Sequence, residues 1–218
     1  KQYHTAVFVG LDEHCVAHHA HKRGLYDQGK SYRVNVEGCD PRYSFHWNGV
    51  SDRLYVFEAP IDLLAFLTLY PENWQQHNYV SLCGTSEHAM LWMLRQNPYL
   101  QKIILCLDHD ASGIESTGRL IDILHEHGYT QTATLQPEHK DWDEDVKAQH
   151  GLNAQPAEEH PQLVAACSLC QRISEKCQSA KPDQVAYQIS RSLQQFRTDI
   201  RYGYRDQAID SMESISAM

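Results

Sequence analysis

One run constrains this chain more than any other: Ile103-Ile104-Leu105-Cys106-Leu107, followed at once by Asp108-His109-Asp110-Ala111-Ser112-Gly113. Five consecutive apolar residues read as a short buried strand, and the abrupt change to acid and then to glycine ends it in a turn. Side chains alternate along a strand, so Asp108 and Asp110 leave the sheet on one face and His109 on the other. Two carboxylates on one side of a strand end repel each other unless a cation lies between them. A hard divalent ion with oxygen ligands, Mg²⁺ first, suits such a pair. A lone Asp-x-Asp would equally describe a solvated turn, so the surrounding pattern has to decide.

From Asp52 that pattern is regular. Leu54-Tyr55-Val56-Phe57 reads as a strand ended by Glu58, and Ala59-Pro60 opens a helix from Ile61 to about Leu69, with Asp62 near its positive end. Tyr79 to Cys83 reads as the next strand, followed by Gly84-Thr85-Ser86, with Ser86 as the expected N-cap of a helix from Glu87 to Gln96. After the Ile103–Leu107 strand, Ile114, Thr117, Leu120, Ile121 and Leu124 recur at helical spacing until Gly128. Thr132 to Leu135 is a fourth short strand, leading into the acidic run Lys140-Asp141-Trp142-Asp143-Glu144-Asp145. Strand and helix in strict alternation call for a parallel sheet with helices on its faces. In such sheets the working groups gather at the carboxyl ends of the strands. Glu58, Gly84, Asp108, Asp110 and the 140–145 run all fall there.

The flanks differ in character. Up to residue 51, segments near Thr5–Gly10, Val16–Arg23, Ser31–Val36 and Tyr43–Trp47 are punctuated by Gly10, Gly24, Gly29, Gly38 and Pro41, the pattern of a small antiparallel sheet. His14, Cys15, His18, His19 and His21 crowd one part of it, but at neither Cys-x2-Cys nor helical His spacing, so zinc is not expected. Beyond residue 150, Leu163, Ala166, Cys167, Cys170, Ile173 and Cys177 form one helical stripe, and Val185, Ile189, Leu193, Phe196 and Ile200 form a second after Pro182. A helical hairpin is expected, with its cysteines packed as small hydrophobes. Arg191, Arg197, Arg201 and Arg205 make its far end basic.

Composition bounds the function classes. A formal net charge of -9 argues against a general nucleic-acid coat, whose affinity rests on phosphate neutralisation. Seven cysteines, an odd and scattered set, suggest reduced thiols and a cytoplasmic setting. No apolar run is long enough to span a bilayer, so no membrane partner is expected.

The set Glu58-Ala59-Pro60-Ile61-Asp62, Cys83-Gly84-Thr85 and Asp108-His109-Asp110-Ala111-Ser112-Gly113, with Lys140-Asp141-Trp142-Asp143-Glu144 behind it, resembles the Toprim domain shared by bacterial primases, topoisomerases and some nucleases. The primase branch fits best, with Ala59 in place of the usual Gly and Ser112 in place of the usual Ala. Residues 1–51 resemble a domain of unknown function often fused ahead of Toprim domains in proteins of bacterial mobile elements. The resemblance implies an α/β Toprim (Rossmann-like) parallel sheet flanked by helices over residues 52–150, behind a small antiparallel β module and ahead of a helical tail, 151–218. It implies Glu58 as acid/base or metal ligand and Asp108 and Asp110 as holders of Mg²⁺ or Mn²⁺. Asp62, Asp141 and Asp143 would complete the metal shell, and Gly84, Thr85 and Ser86 would sit beside phosphate. The leading expectation is primase-like nucleotidyl transfer using nucleoside triphosphates on DNA or RNA, in replication or transfer of a mobile element. A Toprim nuclease and a non-catalytic DNA-binding or assembly module are the alternatives. No P-loop segment occurs, so a helicase or another replication or mobilisation protein is the expected partner.

Overall fold

The computed structural model describes residues 4–25, 32–157 and 184–201, together with residues 169, 172, 173, 204, 207, 208, 210, 211 and 215. Two sheets carry the fold. Strands β1 (Thr5–Leu11), β2 (Ala17–Gly24) and β3 (Arg33–Asn35) form an antiparallel meander. The larger sheet contains β4 (His46–Trp47), β5 (Arg53–Phe57), β6 (Asn78–Ser81), β7 (Lys102–Leu105) and β8 (Gln131–Thr134), in the order β4-β6-β5-β7-β8. All neighbours in it run parallel except β4, which pairs antiparallel with β6. The expected fourth strand of the small sheet therefore belongs to the large one. Its register, His46 against Val80 and Trp47 against Tyr79, satisfies an otherwise open edge of β6.

The described helices are α1 (Pro60–Leu69), α2 (His88–Gln96), α3 (Ala111–Glu126), α4 (Trp142–Gln149) and α5 (Gln184–Arg201). Alternation along β5 splits the core in two. Leu54 and Val56 face a cluster built with Ile103, Leu105, α2 (Ala89, Met90, Met93) and α3 (Leu120, Leu124). Phe57 faces the other side, with Tyr79, Cys106, Leu63 and Phe66 of α1, and Trp142 of α4. Chain order β5, β6, then β7 on the far side of β5 makes β5 the strand where the winding reverses, and the crevice beyond its carboxyl end is where such sheets bind.

The small sheet is seated near that crevice. Phe8 is buried against Phe45, with ring centroids 5.4 Å apart, and the Asn35 side-chain amide donates to the Cys83 carbonyl at 3.3 Å. A third cluster buries Leu193, Phe196 and Ile200 of α5 with Ala111, Ala208 and Ile215, with Leu169 and Ile173 packed alongside. Arg197 pairs with Asp122 of α3, so this arginine of the expected basic edge points inward. Cys167, Cys170 and Cys177 lie outside the described residues. No described helix is long and apolar enough to cross a membrane.

Candidate active site

Each acidic residue of the site is delivered by a chain reversal at a strand end. Glu58 follows β5 directly. Asp62 lies one turn into α1, and its carboxylate reaches back to accept the Ala59 amide at 3.2 Å, half of a capping box. Asp108 follows β7, and Asp110 is the N-cap of α3, accepting the Gly113 amide at 2.9 Å. Gly113 is there because a Cβ at that position would stand 2.0 Å from the Asp108 carbonyl oxygen. Asp141 is the N-cap of α4 and accepts the Glu144 amide at 2.9 Å. The Trp142 indole donates to the Cys106 carbonyl at 2.9 Å, which ties α4 to the end of β7.

These reversals converge on a cleft of about 310 Å³. Glu58, Asp62, Asp108, Asp141 and Asp143 line it with Gly84, and His21, Arg23, Arg33 and Asn35 of the small sheet line it as well. Asp110 stands beside it, tied to Asp108 through Lys140: the ammonium lies 3.8 Å from Asp108, 3.5 Å from Asp110 and 3.6 Å from Asp141. Thr85 and Ser86 do not line the cleft. The Thr85 carbonyl accepts from Arg119, and Ser86 does not cap α2: the N-cap position is Glu87, with no side-chain cap bond. The turn before it is tight, with Cys83 at φ 52° and Gly84 at φ 142°, the latter a conformation in which a side chain would be strained.

The charge balance of the nest is poor. Burial raises the Glu58 carboxyl well above its ordinary range, and the charges of Asp108, Asp110 and Asp62 add to the rise. Burial likewise raises Asp62, with Asp108 and Asp141 next in effect and Arg23 opposing. Asp108 is pushed up to about 7 by burial, although Lys140 and, more weakly, Arg33 pull it down. Burial would lower the Lys140 ammonium, but the three carboxylates around it hold it above its usual value. Glu58 Oε1 and Asp108 Oδ1 are buried and, among the described residues, have no hydrogen-bond partner.

Residues 55–146 match the model of a family described as Toprim-like, and residues 1–51 match that of a protein family of unknown function, DUF3991. The chain carries a Toprim-like domain behind a DUF3991 segment. An uncharacterized Bacillus anthracis protein, pXO2-78, is 26% identical over 157 residues, 65% of this chain and 44% of that protein. The chain thus spans less than half the length of this relative. Among solved structures, the primase fragment of the bacteriophage T7 primase-helicase protein overlays with a TM-score of 0.50 at 15% identity, covering 68% of this chain and 59% of the fragment. At that identity the likeness concerns the fold alone, and it agrees with the α/β sheet described above.

Three parts of the Toprim-like site are invisible to strand-end reasoning. Helix α4 is one. Residues 140–145 read as an acidic run, yet Asp141 and Glu144, at N-cap and N3, carry a capping signature that brackets the buried Trp142. Lys140 as the counter-ion of three carboxylates is another, and only tertiary structure shows it. The basic lining from β2 and β3 is the third, because it depends on strand register. Asp141, Asp143 and Glu144 also present carboxylate oxygens within 4.8 Å of one another, although Lys147 already pairs with Asp143 at 3.4 Å and Glu144 at 2.7 Å.

Proposed function

We propose that this chain carries out divalent-metal-dependent nucleotidyl or phosphoryl transfer on nucleic acid, in the manner of a DNA primase. One observation carries the reading: six carboxylates from three chain reversals meet at the carboxyl ends of β5 and β7, and two of their oxygens are buried and, among the described residues, without a hydrogen-bond partner. Unpaired buried carboxylates are costly unless protonated or bound to a cation. Oxygen-only donors of this kind fit Mg²⁺ or Mn²⁺. Glu58, Asp108 and Asp110 would hold the ion, with Asp62, Asp141 and Asp143 around them.

Such an ion, when bound, neutralises phosphate charge and makes a sugar hydroxyl or water a better nucleophile. The residues of the chain do the rest. Glu58 stands beside that ion either as its ligand or as the acid/base that takes or returns the proton at the attacking or leaving oxygen. Lys140 keeps Asp108, Asp110 and Asp141 together by neutralising part of their mutual repulsion. Gly84 leaves room for a ligand beside the backbone, whereas Thr85 and Ser86 stand outside the cleft and take no part in this reading.

The proposed substrates are nucleoside triphosphates and a DNA or RNA strand, and the proposed setting is replication or transfer of a mobile element, with a helicase or mobilisation protein as partner. The Toprim-like match and the fold likeness to a primase fragment support this. The test is primer synthesis from labelled triphosphates on single-stranded DNA with Mg²⁺ or Mn²⁺. Products from the intact chain, lost in Asp108→Ala/Asp110→Ala, are expected. Strand cleavage without triphosphates would replace this reading with a nuclease. Metal binding with no turnover of either kind would leave an assembly module.

A further inference from the structure

The small sheet presents a cationic face to the carboxylate nest. Strands β2 and β3 pair antiparallel with His21 opposite Asn35 and Arg23 opposite Arg33. Positions two apart on a strand share a face, so these four side chains lie together, and all four line the acidic cleft. His21 and Asn35 are committed to each other at 2.7 Å, and Asn35 also holds the Cys83 carbonyl, which fixes this face against the Gly84 turn.

Arg23 and Arg33 are not committed. Like charges directly opposite across two strands destabilise a sheet. Among the described residues neither guanidinium has an ion pair within 4.0 Å or a side-chain hydrogen bond, although carboxylates line the same cleft. Had they served only to glue the small sheet to the larger one, contact with Asp62, Asp141 or Asp143 would be the expected arrangement. Instead the opposite charges stand on two walls with an open volume between. The ligand that matches both walls is an anion that binds guanidinium at one end and shares a divalent cation with carboxylates at the other. A phosphate or polyphosphate does this, since the planar guanidinium fork pairs two oxygens at once. A cleft of about 310 Å³ is at the small end for ligand sites and suits a few phosphates rather than a duplex.

We infer that the β2–β3 face is a phosphate seat, in which Arg23 and Arg33 of the segment of unknown function hold phosphate groups whose remaining oxygens reach the carboxylate nest. This rests on the reading of the nest as a divalent-cation site for phosphate chemistry. The phosphates come either from a nucleoside triphosphate or from the backbone of a single strand.

The test is calorimetric titration of the whole chain, in Mg²⁺, with tripolyphosphate, ATP and a short single-stranded oligonucleotide. The variants are Arg23→Ala/Arg33→Ala and Arg23→Lys/Arg33→Lys, with Arg95→Ala, at the far end of α2, as a control. Tripolyphosphate should bind about tenfold or more weakly to the alanine pair, and the lysine pair should recover part of the loss, since lysine keeps the charge without the fork. A parallel loss for ATP assigns the seat to a triphosphate, and a parallel loss for the oligonucleotide assigns it to the strand. The lysine pair carries the test if the alanine pair does not fold. Unchanged tripolyphosphate binding in the folded variants, or no binding by the intact chain, overturns the inference. Mn²⁺ titration of the same variants separates the two claims. Intact Mn²⁺ binding with unchanged phosphate binding removes the seat alone, whereas no Mn²⁺ binding in any form removes the reading beneath it.

Discussion

The carboxylate nest has two halves that differ in how their charge is balanced. Asp108, Asp110 and Asp141, from β7, α3 and α4, share one ammonium, that of Lys140. Among the described residues Glu58 and Asp62, from β5 and α1, have no such ion-pair partner: Asp62 accepts one backbone amide, and a Glu58 oxygen is left buried and unmatched. The first half is held by structure that exists for other reasons, two helix caps and a buried tryptophan. The second is held by burial itself, which raises its proton affinity. The difference shows where a further positive charge is wanted: at the unmatched oxygens of Glu58 and Asp108.

The most drastic way to break the comparison is to dismantle the balanced half. Trp142 is fully buried against Phe57, Phe66 and Tyr70. Trp142→Ala should cost about 3–5 kcal/mol in chemical denaturation and release α4, taking Asp141 and Asp143 from the cleft. Next in size is Gly113→Ala, whose methyl must displace the Asp108 backbone. A loss of about 1–3 kcal/mol is expected, with divalent-ion affinity falling further than stability alone explains.

Lys140→Met sharpens the comparison by making the two halves alike. Its ammonium is partly exposed, so the loss in the metal-free chain should be about 1–3 kcal/mol, between surface and buried pairs. Added Mg²⁺ should recover more of this loss than it adds to the unaltered chain.

The smallest net effect is expected with pH, because Asp12, Asp40, Asp52 and Glu144, whose carboxyls are held below their ordinary range, oppose the effect of Asp108. Asp108 rises from an ordinary 3.8 to about 7 in the fold, so between these values the folded chain binds more protons than the unfolded one. Stability of the metal-free chain therefore falls as pH rises from 3.8 towards about 7 and levels off above it. Thermal melting should show a downward drift of about 5 °C over that window, which a divalent ion abolishes at its upper end. A melting temperature that rises instead would mean that Asp108 is ionised and satisfied without an added cation.

Much of this was legible in the sequence because parallel sheets put their working residues at strand ends. Leu54–Phe57 and Ile103–Leu107 are short apolar runs with acids directly after them, and Glu58, Asp62 and Asp108 were brought together as that pattern requires. What escaped depended on tertiary facts. A two-residue strand such as His46–Trp47 has too little pattern to reveal which sheet it joins. Ser86 lost the cap position because the chain turns through Cys83 and Gly84 with positive φ and starts its helix one residue later than expected, at His88. Arg23 and Arg33 are ten residues apart in sequence, and only the β2–β3 register sets them side by side over the acids.

The central claim is that the nest binds a divalent cation through the unmatched oxygens of Glu58 and Asp108. The direct measurement is calorimetric titration of Mg²⁺ and Mn²⁺ into the intact chain and into Asp108→Ala/Asp110→Ala, at a pH above the Asp108 value. Saturable binding by the intact chain, absent from the variant while its fold persists, is the predicted result. No binding by the intact chain, either alone or with single-stranded DNA and a nucleoside triphosphate present, would contradict it.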